Sequence, residues 1–215
     1  MIPATKSLRG LYVITDAHLC GGHESMARAA LAGGAKILQL RDKTTPARQI
    51  LTIARQIREL TWQNDAIFLI NDDAQLALQC EADGVHLGED DLPVAQARQI
   101  LGSKKIIGVS ASTPDLARAA AQNGANYLGV GAVFGTSTKL DAGAPIGIAG
   151  LRAVVDATTL PVAAIGGVSA ANLASVLATG APMACVISAL CGAGEAEMEQ
   201  TARELVALCN AGLKS

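Results

Sequence analysis

Acidic clusters follow two neighbouring apolar runs of the sequence, and their carboxylate side chains could bind a cation. Asn71-Asp72-Asp73 directly follows the apolar run 67–70. Glu89-Asp90-Asp91 directly follows the next apolar run, 84–88. Each run reads as a buried strand whose carboxyl end opens onto a polar site. Carboxylates at two adjacent strand ends favour a hard cation, so the pattern predicts magnesium held by Asp72 and Asp91.

Helix capping is the alternative interpretation of the first cluster. Asn and Asp are preferred at helix N-caps, and Asp72 with Gln75 has the spacing of a capping box. We expect at least one residue of the cluster to act as a cap. The residues alone leave open which of the three does so, and Asp73, at the start of the predicted helix 73–80, is the simplest choice.

A second group of polar residues follows the run 37–40. Strand alternation sends Gln39, Arg41 and Lys43 to the same side. The planar fork of Arg and the mobile charge of Lys together suit a diphosphate. The alternative is a solvated turn in which Asp42 pairs with these cations.

Later strand ends indicate further anion binding. The loop 131–145 is long for a compact domain and contains hydroxyls and Lys139, which predicts an anion clamp, whereas a merely mobile polar loop is the alternative. Gly166-Gly167 and Ser188 follow the runs before them, where barrels often bind phosphate. Ser110 follows the run 106–109 and is a candidate ligand.

These polar residues require a regular alternation of short strands and helices to position them. The predicted strands are 11–15, 37–40, 67–70, 85–87, 106–109, 127–130, 162–165 and 185–187. The predicted helices are 24–32, 46–61, 73–80, 93–101, 114–123, 148–156, 170–179 and 195–210. Eight such units predict a single α/β domain over residues 1–215, a (β/α)8 TIM barrel with residues 1–9 as an N-terminal extension. An open doubly wound sheet is the alternative.

Helix signals support these boundaries. Thr45-Pro46, Thr113-Pro114 and Ser169 occupy predicted cap or first-turn positions. His18 and His23 are expected in the first loop, and His86 is expected to be a hydrogen-bonded residue of the barrel.

Composition limits the remaining possibilities. Half of the residues are apolar and only 2% are aromatic, which favours a core of Ala, Val, Ile and Leu. A net charge of −2 provides no general field for nucleic acid or an anionic membrane, so neither is an expected partner. We expect a cytoplasmic protein with small-molecule substrates and a possible homo-oligomeric state. The five cysteines are widely spaced and are interpreted as buried thiols of a reducing compartment.

Several segments together resemble the thiamine phosphate synthase family, over about residues 11–190. They are Gln39-Leu40-Arg41-Asp42-Lys43, Ile70-Asn71-Asp72-Asp73, Gly84-Val85-His86-Leu87-Gly88 with Asp91, Gly108-Val109-Ser110, Thr136-Ser137-Thr138-Lys139, Ile165-Gly166-Gly167 and Val186-Ile187-Ser188. The sequence departs from the family where Asp42 replaces a common Glu and where Glu89-Asp90-Asp91 replaces a frequent Gln-Glu-Asp. The second departure leaves Asp90 and Asp91 both open as the second metal ligand.

The resemblance implies a role for each of these strand ends. The pyrimidine diphosphate would be held by Gln39, Arg41, Lys43, Asn71, Ser110 and Lys139. The thiazole phosphate would be held by Thr136, Thr138, Gly167, Ile187 and Ser188. Mg²⁺ would be bound by Asp72 and Asp91, and Arg41, Lys43, Lys139 and Ser110 would be the catalytic residues.

The implied activity joins a hydroxymethylpyrimidine diphosphate to a thiazole phosphate, or to its carboxylate, and releases pyrophosphate in a dissociative substitution. Two alternatives remain at this stage. One is a thiazole tautomerase-like isomerase with the same barrel, and the other is a non-catalytic protein that binds thiamine precursors.

Overall fold

The structure is a computed structural model that describes residues 7–136 and 143–213. Eight parallel strands form a closed barrel in sequence order, and β8 pairs with β1. The strands are β1 (Gly10–Thr15), β2 (Ile37–Leu40), β3 (Ile67–Asn71), β4 (Gly84–Leu87), β5 (Ile106–Ser110), β6 (Tyr127–Val130), β7 (Val162–Ala164) and β8 (Met183–Val186). Closure confirms the predicted (β/α)8 TIM barrel, and it excludes the open sheet.

A helix follows each strand. The helices are α1 (Gly22–Ala32), α2 (Ala47–Gln63), α3 (Ala74–Gln79), α4 (Val94–Leu101), α5 (Pro114–Gln122), α6 (Gly147–Asp156), α7 (Leu173–Leu177) and α8 (Glu195–Gly212). A short 3-10 helix, Ser188–Leu190, lies between β8 and α8. Within the described ranges, no helix is long and apolar enough to cross a bilayer.

Apolar side chains form two separate layers because both faces of the barrel wall are buried. Inside the barrel, side chains such as Tyr12, Ile67, Tyr127 and Met183 pack against one another. A larger layer between the wall and the helices is built mainly from Ala, Val, Ile and Leu. The strands therefore read as continuous apolar runs in the sequence, and the polar residues follow them at the carboxyl ends.

Two of the predicted caps are confirmed. Asp73 is the N-cap of α3, and its Oδ1 accepts a hydrogen bond from the Leu76 N–H at 2.8 Å. Thr113 caps α5 in the same way, with Pro114 in the first turn.

Two local predictions are wrong. The N-cap of α7 is Asn172 rather than Ser169, because the chain between them forms a turn in which Asn172 Oδ1 accepts from the Ser169 N–H. Ile187 lies one residue beyond the end of β8, since the backbone leaves the extended conformation there and enters the 3-10 helix.

The interpretation of all five cysteines as thiols is also wrong. Cys20, in the loop after β1, and Cys191, which follows the 3-10 helix, form a disulfide. Closure of the barrel places β8 beside β1, so the loops that follow these two strands are neighbours. Cys80, Cys185 and Cys209 are buried free thiols, as expected.

Candidate active site

A pocket with a volume of about 380 Å³ lies at the carboxyl ends of the barrel strands. Its lining includes eleven of the predicted site residues, which are Gln39, Arg41, Lys43, Asn71, Asp72, Asp91, Ser110, Thr136, Gly167, Ile187 and Ser188. Two further predicted residues, Thr138 and Lys139, lie outside the described residues. The strand order brings together residues that are far apart in the sequence, because every parallel strand ends at the same edge of the barrel.

One wall of the pocket carries cations from the segment after β2. Gln39 points into the barrel, and Arg41 and Lys43 follow it at alternate positions along the pocket wall. Lys43 Nζ lies 3.2 Å from Asp72 Oδ2, so the ends of β2 and β3 are joined by an ion pair. Asp42 turns away from these cations and contacts His23, so the pairing considered as the alternative does not form.

Two carboxylates face each other beside this wall. Asp72 has a left-handed backbone with φ of 63°, and its N–H donates to the His86 carbonyl at 2.7 Å. Asp91 Oδ2 accepts from the Gly88 N–H, also at 2.7 Å. A left-handed backbone is costly for Asp, and such strain is often found at functional sites.

Electrostatics indicate that the two carboxylates interact directly. Burial raises the pKa of Asp72, and the nearby Asp91 carboxylate raises it further. Burial alone would raise the pKa of Asp91, but hydrogen bonds from Asp72 and the Gly88 N–H, together with Lys43, lower it below its ordinary value. The two pKa values therefore move in opposite directions, as expected for two carboxyl groups that interact closely.

This carboxylate pair fits a magnesium ion. A divalent cation between the two carboxylates would offset the repulsion between them. Mg²⁺ is usually bound through one or two carboxylates, with water and phosphate oxygens at the other positions. Among the described residues there is no group of three or more His, Cys, Asp or Glu side chains arranged for a metal, so the pair is not part of a larger protein cage.

The opposite wall is formed by the loops after β6, β7 and β8. Gly166 and Gly167 have φ values of 94° and 64°, which are accessible to Gly at little cost. A Cβ on Gly167 would lie 2.6 Å from the Gly135 carbonyl oxygen, so the loops after β6 and β7 are closely packed. Thr136, Gly167 and Ser188 line this side of the pocket, where a phosphate can approach the backbone.

The barrel interior beneath the pocket contains two residues that the sequence analysis missed. Tyr12 from β1 and Tyr127 from β6 meet inside the barrel, with their hydroxyls 2.9 Å apart. Tyr12 also accepts from Gln39 Nε2, and Tyr127 bonds to His86, as expected for a hydrogen-bonded barrel histidine. Tyr12 and Tyr127 are the two tyrosines of the chain. A polar aromatic side chain within an apolar strand is the sequence feature that could have identified each of them.

His23 is a second residue that sequence analysis placed incorrectly. It lies in α1 rather than in the preceding loop, and it is 5% exposed. Its Nε2 donates to Asp42 at 2.9 Å, and Asp42 Oδ1 accepts from the backbone N–H groups of Thr44 and Thr45. The turn between Arg41 and the start of α2 is therefore anchored to α1.

Comparison with known proteins assigns the chain to a family. The family model described as thiamine monophosphate synthase matches residues 11–190, which run from the second residue of β1 to the end of the 3-10 helix after β8. The chain belongs to the thiamine monophosphate synthase family. A curated relative from Moorella thermoacetica, named thiamine-phosphate synthase, is 49% identical over 197 residues, covering 91% of this chain and 93% of the relative. A relative of the same name from Chloroflexus aurantiacus is 44% identical and covers 92% of this chain and 91% of its own length.

Solved structures agree with this membership. The thiamine phosphate pyrophosphorylase from Pyrococcus furiosus is 40% identical and superposes with a TM-score of 0.88, covering 95% of this chain and 96% of its own. A thiamine phosphate pyrophosphorylase from Bacteroides thetaiotaomicron is 18% identical, with a TM-score of 0.69, and supports the fold alone. In this member of the thiamine monophosphate synthase family, the pocket at the strand ends is the candidate substrate site.

Proposed function

We propose that the chain is a thiamine phosphate synthase, a transferase acting in thiamine biosynthesis. It joins 4-amino-2-methyl-5-hydroxymethylpyrimidine diphosphate to a thiazole phosphate, or to the carboxylated thiazole phosphate, and releases pyrophosphate. Membership in the family and the high coverage of relatives named thiamine-phosphate synthase support this activity. Both substrates are small anionic molecules, which suits a pocket with cations on one wall and a glycine-rich turn on the other.

The observation that carries the proposal is the contact between Lys43 and the carboxylate pair. Lys43 Nζ lies 3.2 Å from Asp72 Oδ2, and Asp72 faces Asp91. A cation and a predicted metal site thus occupy the same wall of the pocket as Arg41. This combination matches a diphosphate, which needs several positive charges around a small group of oxygens.

We assign the diphosphate to Arg41 and Lys43, with Asn71 as a neutral contact at the end of β3. Mg²⁺ would be held by Asp72 and Asp91, and when bound it would neutralise charge on the leaving pyrophosphate. Asp91 is preferred over Asp90 because Asp91 is half-buried and contacts Asp72, whereas Asp90 is exposed. Lys139 remains a predicted further cation of the diphosphate site.

The reaction requires stabilisation of the leaving group more than a strong nucleophile. The bond between the methylene carbon and the diphosphate oxygen breaks, and its electron pair leaves with pyrophosphate. The aminopyrimidine ring donates electron density to the resulting carbocation. Arg41 and Lys43 stabilise the charge that develops on the leaving oxygens. The lone pair of the thiazole nitrogen then forms the new carbon–nitrogen bond, and no general base is required.

The thiazole is positioned through its phosphate. We assign this group to the wall formed by Thr136, Gly167, Ile187 and Ser188, with Thr138 as a further predicted contact. The absence of a side chain at Gly167 allows the loop after β6 to pack closely against the turn after β7, which places Thr136 and Gly167 on the same wall. Holding the phosphate orients the thiazole nitrogen toward the pyrimidine, which converts a bimolecular encounter into a positioned reaction.

The two alternative functions are less consistent with this pocket. An isomerisation of the thiazole releases no diphosphate, so it provides no use for the cations and carboxylates of β2, β3 and β4. A protein that only binds precursors would need the phosphate wall but not the pair Asp72 and Asp91. The proposed transferase uses both walls.

Incubation of the purified protein with both substrates and magnesium tests the proposal. We expect thiamine phosphate and pyrophosphate in equal amounts. Isomerised thiazole phosphate without pyrophosphate would identify the tautomerase. Binding of the thiazole phosphate without any turnover would identify a binding protein.

A further inference from the structure

A continuous chain of side-chain hydrogen bonds crosses the barrel beneath the pocket. Gln39 Nε2 lies 2.5 Å from the Tyr12 hydroxyl, which lies 2.9 Å from the Tyr127 hydroxyl. The Tyr127 hydroxyl lies 2.9 Å from His86 Nδ1. His86 Nε2 lies 3.2 Å from the Ser110 hydroxyl. The two ends of this relay, Gln39 and Ser110, both line the pocket.

With the Gln39 amide oriented toward Tyr12 through Nε2, donation runs in one direction along the relay. An amide NH₂ group can only donate, so Tyr12 accepts from Gln39 and gives its own proton to the Tyr127 oxygen. Tyr127 then donates to His86 Nδ1, which makes Nδ1 the acceptor and Nε2 the protonated nitrogen. His86 Nε2 donates to Ser110, whose own hydroxyl proton remains to be donated.

Burial keeps the number of protons in the relay constant. The interior of the barrel raises the pKa of Tyr12 well above its ordinary value, and the neighbouring Tyr127 adds to this effect. Burial likewise raises the pKa of Tyr127. Both phenols therefore stay protonated over the pH range in which proteins are folded. Each hydroxyl can donate only one hydrogen bond.

The wall of the barrel leaves room for the rings of the relay. A Cβ on Gly108 of β5 would overlap the Tyr127 ring, and a Cβ on Gly129 of β6 would lie 2.7 Å from His86 Cε1. Neither glycine has a positive φ, so their backbones do not require Gly. The space that they leave is filled by the two rings.

One end of the relay is incomplete. Gln39 is 1% exposed, and its Oε1 has no hydrogen-bond partner among the described residues. A buried acceptor without a partner is unfavourable, so a ligand N–H that reaches it is recognised strongly. The pocket thus presents an acceptor at Gln39 and a donor at Ser110.

We propose that Tyr12, Tyr127 and His86 are positioning residues whose hydrogen-bond direction makes the pocket select a 4-aminopyrimidine over the 4-oxo ring. The exocyclic amine donates to Gln39 Oε1, and an unprotonated ring nitrogen accepts from Ser110. A 4-oxo ring would place its carbonyl oxygen beside the Gln39 oxygen, where two acceptors face each other, so the discrimination comes from the Gln39 end, whereas the Ser110 hydroxyl keeps an acceptor lone pair and can serve either ring. The identity of the ring rests on the proposed function.

The tautomer of His86 reports the direction of the relay. A proton on His86 Nδ1 would donate to Tyr127, which would then donate to Tyr12. Tyr12 would in turn need an acceptor at Gln39, and the amide would present its NH₂ group to the pocket. That reversed relay would favour the 4-oxo ring.

The first test is ¹⁵N NMR of the ligand-free protein with labelled histidine at pH 8. The His86 signals are assigned with the variant His86→Gln. We expect the tautomer protonated at Nε2, with Nδ1 as an acceptor from Tyr127. The Nδ1–H tautomer or a doubly protonated ring would overturn the proposal. This measurement needs neither substrate nor turnover, so it stands apart from the proposed function.

The second test compares binding of 4-amino and 4-oxo 2-methyl-5-hydroxymethylpyrimidine monophosphates by calorimetry. We expect the amino compound to bind the original protein more tightly, and Tyr127→Phe or Tyr12→Phe to reduce the preference at least about tenfold. The control is Thr61→Val in α2, which removes a buried hydroxyl that donates to the Arg58 carbonyl, far from the relay. The Thr61→Val variant should have a lower free energy of unfolding and an unchanged preference for the amino over the oxo compound.

The outcomes separate the two proposals. An unchanged preference in folded Tyr127→Phe and Tyr12→Phe proteins would overturn the relay, even if the protein makes thiamine phosphate. Equal affinity of the original protein for the 4-amino and the 4-oxo compound would also overturn the relay. Absence of thiamine phosphate synthesis would overturn the proposed function, whereas the Nε2–H tautomer and the binding preference would still support the relay.

Discussion

The imidazole of His23 lies 2.9 Å from the carboxylate of Asp42, and the two side chains are only 4% and 2% exposed. This contact joins α1 to the turn that follows β2. Arg41 and Lys43 flank Asp42 in the sequence, and both line the pocket. A buried pair outside the pocket therefore holds the segment from which two proposed substrate contacts arise.

Loss of this pair should loosen the proposed diphosphate site. We expect His23→Ala to lower kcat/KM for the pyrimidine diphosphate by about tenfold to a hundredfold, because small displacements of positioning groups are costly. His23→Gln retains a donor for Asp42 and should lose less. The exposed His18 in the preceding loop provides the control, and His18→Ala should match the original protein. Equal activity of all three variants would contradict the anchoring role.

Asp42 should also contribute to acid sensitivity. Burial alone would raise its pKa, but hydrogen bonds from Thr45, Thr44 and His23 lower it well below the ordinary value. A carboxylate with a lowered folded pKa stabilises the protein above its unfolded pKa of about 3.9, and this contribution is lost as the pH falls through the folded pKa. The difference in unfolding free energy between the original protein and Asp42→Asn should therefore shrink from about pH 6 to pH 3. Urea unfolding at several pH values measures it, and a constant difference would refute the assignment.

The carboxylate pair should be essential for turnover. Asp91→Asn removes one charge of the proposed magnesium site and should lower pyrophosphate release at least about a hundredfold. The same exchange at the exposed Asp90 should cost much less. EDTA should abolish the activity, and added magnesium should restore it. Full activity in the chelator, or a larger loss at Asp90 than at Asp91, would rule out this metal assignment.

Thiol counting checks the disulfide. Unfolded protein without reductant should expose three thiols to Ellman's reagent, from Cys80, Cys185 and Cys209, and reduction should increase the count to five. The folded protein should react slowly, because burial raises the pKa of Cys209 to about 11 and also raises the pKa values of Cys80 and Cys185. Five thiols before reduction would show that Cys20 and Cys191 are unpaired.

The amino-terminal end of the barrel should affect stability rather than activity. Asp83 Oδ2 accepts from Arg58 Nη1 and from the Phe68 N–H, both at 2.8 Å. Asp83→Ala leaves both donors without this acceptor and should lower the unfolding free energy by about 1–3 kcal/mol. Turnover well below the unfolding temperature should not change, because the pocket lies at the other end of the strands. A large loss of turnover in the folded variant would contradict this division.

Local sequence patterns determined the order of elements and the edge of the barrel at which the site lies. The apolar runs of β2 and β6 have the predicted bounds, and Asp73 and Thr113 cap the helices predicted to start there. Such features depend on residues a few positions apart, so they can be recognised in a single sequence. For the same reason, Gln39, Asp72 and Asp91 could be recognised as pocket residues from the strand ends that they follow.

Only the tertiary structure decided which distant side chains meet. Tyr12 and Tyr127 are 115 positions apart, and Cys20 and Cys191 are 171 positions apart. Their contacts follow from closure of the barrel, which places β1 beside β8 and lets side chains of β1 and β6 meet in the interior. The spacing of residues along the sequence does not indicate which strands meet when the barrel closes. The contacts of the relay beneath the pocket and the disulfide therefore became visible only once the eight strands had been assembled.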